Sequence, residues 1–162
     1  MVSRLLVAVS LLLIVSQPSF AQFWEESEGP PAPATCLVHN SQQHVFAGTS
    51  FSAVYRTTDL GETWTRLDKG IDDGGPNFVR VNMMAVDKND VIYAAINDKG
   101  IFRSSDNGDN WDVLDIGIDV ARNSRLSLSI ENMPNGETSV FVGYDAGAAN
   151  LLLRYSEDGG DT

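Results

Sequence analysis

The stretch Tyr55–Trp64, YRTTDLGETW, decides the reading of this chain because it recurs: Phe102–Trp111 reads FRSSDNGDNW, 47 residues further on. A third version, Leu153–Thr162, reads LRYSEDGGDT and stops one residue short of the expected Trp. Each version alternates a hydroxyl, an acid and a glycine: Thr57, Asp59 and Gly61; Ser104, Asp106 and Gly108; Ser156, Asp158 and Gly160. Trp64 and Trp111 close the first two. A hydroxyl and a carboxylate so spaced hydrogen-bond to nearby backbone and close a tight turn. The glycine supplies a position where positive φ costs little. The Trp then opens the next strand, with its ring expected to bury against the turn and a neighbouring repeat. On this reading Asp59 and Asp106 are spent on backbone amides and are structural, not catalytic.

The repeat extends outward from these boxes. HVFAGT (His44–Thr49), VIYAAI (Val91–Ile96) and SVFVGY (Ser139–Tyr144) share an aromatic, at Phe46, Tyr93 and Phe141. Arg56, Arg103 and Arg154 each precede a box, and WTRLDKGID (Trp64–Asp72) continues in register with WDVLDIGID (Trp111–Asp119). Apolar residues follow period two and not 3.6, in runs bounded by Gly, Asp and Asn. VDKNDVIYAA predicts two strands joined at Asp87–Asp90, and Asn135-Gly136 marks a hairpin in IENMPNGETSVFVG. No segment past the N-terminal region patterns as an amphipathic helix. About four short strands per repeat predict an all-β fold of β-propeller blades, at roughly 30–72, 78–119 and 124–162.

The pattern Ser/Thr-x-Asp-x-Gly-x-x-Trp resembles the Asp box, or BNR repeat, of sialidase-like β-propellers. The larger arrangement, an Ala-Gly-Thr strand followed by the box hairpin, is similar to BNR-like repeat proteins secreted by bacteria. The resemblance covers nearly all of residues 22–162 and implies four-stranded blades with Asp-box hairpins on rim turns. It implies several activities: sialidases, xyloglucanases and related glycan hydrolases, sortilin-like receptors, photosystem assembly factors, and propellers with no assigned role. The chain departs from the sialidase pattern, because no Arg-Ile-Pro motif precedes the first box. The repeat arginines are shared between blades, which points to a structural task.

The ends carry further expectations. Residues 1–21 hold one Arg, an apolar run of about 11 residues, Pro18, and small residues at Ser19 and Ala21, the layout of a secretory signal peptide. That run falls short of the roughly 20 residues of a membrane-spanning helix. The expectation is a protein that is secreted, periplasmic or at the cell surface, with no membrane insertion after cleavage. Trp24 in FWEESEG resembles the strand that follows a box, so residues 22–29 are expected to supply the closing strand of a terminal blade. Three repeats fall short of a ring of four to eight blades. The chain is therefore expected to be a fragment of a longer propeller; the alternative is that copies of it complete the ring together.

The chain has a net charge of −11, and −12 once residues 1–21 are removed, because Arg4 is their only charge. Scattered negative charge repels phosphate backbones and anionic headgroups, which argues against nucleic acid and membrane surfaces as partners. Carbohydrate or another extracellular protein is the expected partner. Cys36 is the single cysteine, so no intrachain disulfide can form, and a buried apolar role is expected. His39 and His44 flank a predicted exposed turn, without the ligand spacing of a metal site. Asp72, Asp73, Asp119 and Asp145 could serve glycoside hydrolysis as paired carboxylates, but an Asp beside Gly or Asn is a common turn residue. No metal or cofactor is expected.

Three functions follow. The first is a non-catalytic binding or scaffolding propeller. The second is the N-terminal part of a sialidase-like or xyloglucanase-like glycoside hydrolase. The third is a propeller within a larger cell-surface protein.

Overall fold

Polar turns cut the chain into short β-branched and aromatic runs, and in the computed structural model these form strands. The structure describes residues 26–71, 78–117, 126–145 and 151–161, with the side chains of Asp145, Leu151 and Leu152 excepted. The signal-like segment 1–21, Trp24, Asp72, Asp73, Asp119 and Thr162 lie outside the described residues.

The first sheet is an antiparallel meander of β1 (Ala34–His39), β2 (Val45–Thr49), β3 (Val54–Thr57) and β4 (Thr65–Leu67). The second repeats it with β5 (Val81–Val86), β6 (Ile92–Ile96), β7 (Gly100–Ser104) and β8 (Asp112–Leu114). The third contains β9 (Leu126–Asn132), β10 (Thr138–Asp145) and β11 (Leu151–Ser156), with β11 at its edge. The fold is all-β, as the period-two pattern predicts.

Side-chain chemistry sets the turns. Asn40 Oδ1 accepts from the amides of Gln42 (3.1 Å) and His44 (3.0 Å), closing β1 onto β2. Asp87 Oδ1 accepts from Asn89 (2.8 Å) and Val91 (2.9 Å) at the corresponding turn between β5 and β6. Each is an Asx turn, which supplies the acceptor that the reversing backbone lacks. The Asn135-Gly136 hairpin joins β9 to β10, with Gly136 at φ 98°.

The sheets stack face to face. Neighbours meet through their first two strands: β5 packs on β1 and β2, and β9 on β5 and β6. The middle sheet is therefore covered on both sides, and all five residues of β6 are buried. Ile92, Ala94 and Ile96 join Phe46, Val54 and Leu67 in one core. Tyr93 and Ala95 join Leu126, Leu128, Val140 and Val142 in the other. This double burial explains why β6 is a continuous apolar run with no alternation of polar residues.

Two backbone approaches fix the stack. Thr35 Oγ1 donates to Val81 O (2.6 Å), tying β1 to β5. A Cβ on Gly48 would lie 2.7 Å from Val81 Cγ1, so only glycine lets β2 approach β5 this closely. Cys36 is a free thiol packed on the edge of the first core. It is half-buried and not fully enclosed, because β1 is the exposed first strand of its sheet; burial pushes its pKa up.

Candidate functional site

The three boxes repeat one hydrogen-bond pattern. Thr57 Oγ1 accepts from Gly61 N (2.9 Å) and Asp59 N (3.3 Å), and donates to Asp59 Oδ1 (2.7 Å). Ser104 does the same with Gly108 N (2.9 Å) and Asp106 (2.8 Å). Ser156 does so with Gly160 N (2.8 Å) and Asp158 (2.5 Å). The acid then reaches forward. Asp59 accepts from Thr63 N (2.9 Å) and Thr63 Oγ1 (2.6 Å), and Asp106 from Asn110 N (2.9 Å) and Nδ2 (2.6 Å). Asp158 accepts from Asp161 N (3.0 Å).

The acids are thus spent on one amide and on side-chain donors, a wider set than backbone amides alone. Donors on both oxygens favour the carboxylate. The hydroxyls of Thr63 and Thr57 hold the Asp59 pKa down to about 2. For Asp106, burial raises the pKa, but bonds from Asn110 and Ser104 outweigh it and the net shift is downward.

The turn needs two left-handed residues, not one. Gly61, Gly108 and Gly160 sit at φ 96°, 86° and 89°, and the residues before them, Leu60, Asn107 and Gly159, at 60°, 61° and 73°. The sequence pattern points to the glycine alone.

Each box also meets the preceding sheet. Arg56 Nη1 donates to Asn107 O (2.7 Å) and Asp109 Oδ1 (3.0 Å) of the second box. Arg103 Nη1 donates to Gly159 O (3.2 Å) and Asp161 Oδ1 (2.6 Å) of the third. Arg154 does not continue the series. Cross-strand pairing sets Phe46 opposite Arg56 and Tyr93 opposite Arg103, but Phe141 opposite Tyr155. Tyr155 holds the arginine position and stacks on Phe141 at 6.2 Å, while Arg154 pairs with Val142. The expectation of one shared arginine per repeat is corrected accordingly: the third sheet has a tyrosine there.

The tryptophans also differ. Trp111 is buried in the first core, whereas Trp64 is half-buried and its Nε1 donates to Glu28 O (2.7 Å). His39 is exposed as expected, but His44 is half-buried and its Nδ1 is buried without a hydrogen-bond partner among the described residues. Asp145 ends β10 opposite Leu151. Among the described residues no group of three His, Cys, Asp or Glu side chains is placed to hold a metal ion, and no helix is long and apolar enough to cross a membrane.

The seams between sheets hold the polar cavity. At the first seam, Asn40 Nδ2 donates to Asn107 Oδ1 (2.7 Å), next to Gly108, which faces the Phe46 ring. At the second, glycine replaces that asparagine and tyrosine replaces the phenylalanine. Tyr93 OH donates to Gly159 O (3.3 Å), and a cavity of about 400 Å³ opens among Asp87, Tyr93, Arg103, Asp112 and Asp161. Burial, followed by the Asp87 carboxylate, pushes the Tyr93 phenol up to about 12. Asp87 Oδ2 accepts from Thr138 Oγ1 (2.9 Å), which fixes the carboxylate in the cavity wall. These groups can hold a polar ligand by hydrogen bonds.

Comparison with protein families finds no match, and neither does comparison with curated proteins. Among solved structures the chain is similar to PorZ, described as an essential bacterial surface component of the type-IX secretion system of the human oral-microbiomic Porphyromonas gingivalis. The TM-score is 0.51 and the identity 21%, over 74% of this chain and 17% of that one. The likeness is one of fold, and the chain spans about a sixth of the length of that protein.

Proposed function

We propose that residues 22–162 form part of an Asp-box β-propeller that works outside the cytoplasm as a non-catalytic binding or scaffolding module, exported by the segment 1–21. The observation that carries this reading is the use made of the polar residues that recur in each repeat. Every box hydroxyl and acid closes its own turn, and Arg56 and Arg103 clamp the next box, so the repeated polar residues build rigidity. The stacking of antiparallel meanders through their first two strands supports a propeller, whose blades are four-stranded. The resemblance in fold to a bacterial surface component is in keeping with an extracellular place. A carbohydrate or another extracellular protein is the partner suited to a rigid, acidic surface.

The test is a paired one on the purified protein: binding to an array of glycans, and release of sugar from sialosides and β-glucans. Binding without release is expected. Release of sugar above the rate of a buffer control would overturn the reading in favour of the glycoside hydrolase.

A further inference from the structure

The two seams are built on one plan and differ at two facing positions. At the first, Asn40 spends Oδ1 on the amides of Gln42 and His44, and its Nδ2 donates to Asn107 Oδ1 (2.7 Å). At the second, Asp87 spends Oδ1 on the amides of Asn89 and Val91 in the same way. Its other terminal atom is Oδ2, an acceptor where Asn40 presents a donor. Facing it, Gly159 replaces Asn107 with nearly the same backbone conformation (φ 73° and 61°) but no side chain. The carboxamide that bonds across the first seam is thus missing from the second, where the cavity of about 400 Å³ lies. The vacancy is that of the side chain of residue 159, within the chain. At the first seam the residues after the box lead away from this place to the Lys69 turn, where Trp111 N donates to Lys69 O (3.0 Å).

The chemistry of the cavity is one-sided. Asp87 is only 6% exposed, and among the described residues its carboxylate accepts from two amides and the Thr138 hydroxyl (2.9 Å), all uncharged. A carboxylate offers about four acceptor sites, so Oδ2 keeps one unused. Among the described residues no cation pairs with Asp87. The one guanidinium in the wall, Arg103, is held by Asp161 Oδ1 and Gly159 O. Asp112, Glu137 and Asp158 add further carboxylates to the lining. A buried carboxylate is favoured when a hydrogen-bonded cation compensates it. The group that suits this vacancy therefore donates hydrogen bonds and carries positive charge, the reverse of what Asn107 Oδ1 supplies at the first seam.

We propose that the second seam is a lysine-binding site: a lysine side chain of an extracellular protein enters between the second and third sheets, and its ammonium donates to Asp87 Oδ2. The vacant place is the size of one carboxamide, which suits a compact ammonium with three donors better than a planar guanidinium. The free acceptor sits on a buried residue, so the cation has to arrive on a flexible stem, and Val91 in the wall offers apolar contact to its methylenes. Tyr93, whose hydroxyl donates to Gly159 O, has its oxygen available to accept as well. A chain of net charge −11 also steers basic partners toward itself. The identity of the partner rests on the extracellular binding role proposed above. The chemistry of the cavity does not, so release of sugar by this protein would overturn that role and leave the site standing.

The experiment is an NMR titration of the isotope-labelled full chain, with circular dichroism to check that each variant folds. The probes are Nα-acetyl-lysine methylamide, its Nε-acetylated counterpart and glucosamine. Saturable shifts of the Val91 and Thr138 amides are expected with the lysine probe, and the other two should bind more weakly by about ten-fold or more. Asp87→Asn keeps the turn acceptor and presents a donor, as Asn40 does, and should weaken the lysine probe by about ten-fold or more. Tyr93→Phe combined with Gly159→Asn fills the vacancy and should abolish the shifts. Asp109→Asn removes an exposed carboxylate at the first seam and should leave binding unchanged. The absence of saturable shifts with the lysine probe overturns the proposal, as does a folded Asp87→Asn or filled-seam chain that binds as before. Equal binding of the Nε-acetylated probe would show that the charge is not read. Glucosamine binding as tightly as the lysine probe would also overturn the proposal, assigning the cavity to amino sugars. An equal loss in Asp109→Asn would do so too, reducing the effect to general attraction by an acidic surface.

Discussion

Arg56 and Asp109 lie 53 residues apart in the chain, and the guanidinium of the first holds the box turn of the second sheet through Asp109 Oδ1 (3.0 Å) and the neighbouring carbonyl of Asn107 (2.7 Å). The two contacts are unequal. Asp109 is 59% exposed, so its ion pair is screened, while the carbonyl bond lies in a half-buried seam. Exposed pairs contribute about 0.2–1 kcal/mol and hydrogen bonds to charged groups about 1.5–3 kcal/mol. Arg56→Ala should therefore cost about 2 kcal/mol, and Asp109→Ala about 0.5 kcal/mol. A double-mutant cycle by urea denaturation checks this, and a coupling above about 1.5 kcal/mol would show that the carboxylate dominates.

The paired left-handed residues of the box make a prediction in both directions. Leu60 sits at φ 60° and is 86% exposed, so it bears backbone strain and loses no packing if replaced. Asparagine tolerates this conformation, as Asn107 does one repeat later. Leu60→Asn should stabilise the protein by about 0.5–1 kcal/mol. Gly108→Ala should do the reverse, because φ is 86° and the new Cβ would meet Leu67 Cδ1 at 2.5 Å. A loss of about 2 kcal/mol or more is expected there. Melting temperatures decide both, and a neutral Gly108→Ala would mean that the seam yields easily.

Acid should loosen the boxes before the cores. Asp59 has a folded-state pKa of about 2, below its ordinary 3.8, and the Asp106 and Asp90 values are lowered as well. A depressed carboxylate pKa stabilises the fold above the unfolded value, and that contribution is lost as pH falls through the folded one. The melting temperature should therefore drop between about pH 4 and pH 2. Asp59→Asn keeps an acceptor for Thr63 N but removes the titrating group, so its profile should be flatter. Superimposable profiles would show that the box acids do not drive acid unfolding.

What the sequence made legible was local. The box bonds span four residues, as from Gly61 to Thr57, and the Asp87 and Asn135-Gly136 turns are as compact, so residue type and spacing are sufficient to place them. The seams were not legible in the same way. The Arg56–Asp109 contact depends on how two sheets stack, and nothing near either residue encodes it. Arg154 was misplaced because it stands two residues before Ser156, whereas Arg56 and Arg103 stand one before their hydroxyls; counting back from Ser156 gives Tyr155, and strand pairing agrees. Leu60 escaped notice because leucine gives no signal of a left-handed conformation. The unequal burial of Trp64 and Trp111 follows from what each ring meets: the carbonyl of Glu28 in one case and the first core in the other.

The difference between the seams can be tested by making one into the other. At the first seam Asn107 is bonded to Asn40, and the next residue, Gly108, faces the Phe46 ring. At the second, Tyr93 and Gly159 hold those places, and the tyrosine hydroxyl uses the room the glycine leaves. A Cβ on Gly159 would lie 3.1 Å from Tyr93 OH, so Gly159→Asn alone crowds that hydroxyl and should destabilise. Tyr93→Phe alone removes the hydroxyl and leaves the cavity, which should cost about 1 kcal/mol. Together they rebuild the first seam, with the new side-chain amide facing Asp87, whose place Asn40 holds at the first seam. The double variant should be more stable than the sum of the singles by about 1–2 kcal/mol, a coupling expected only between residues in contact. Additive losses in denaturant titrations would mean that the cavity is held open by something other than these two positions.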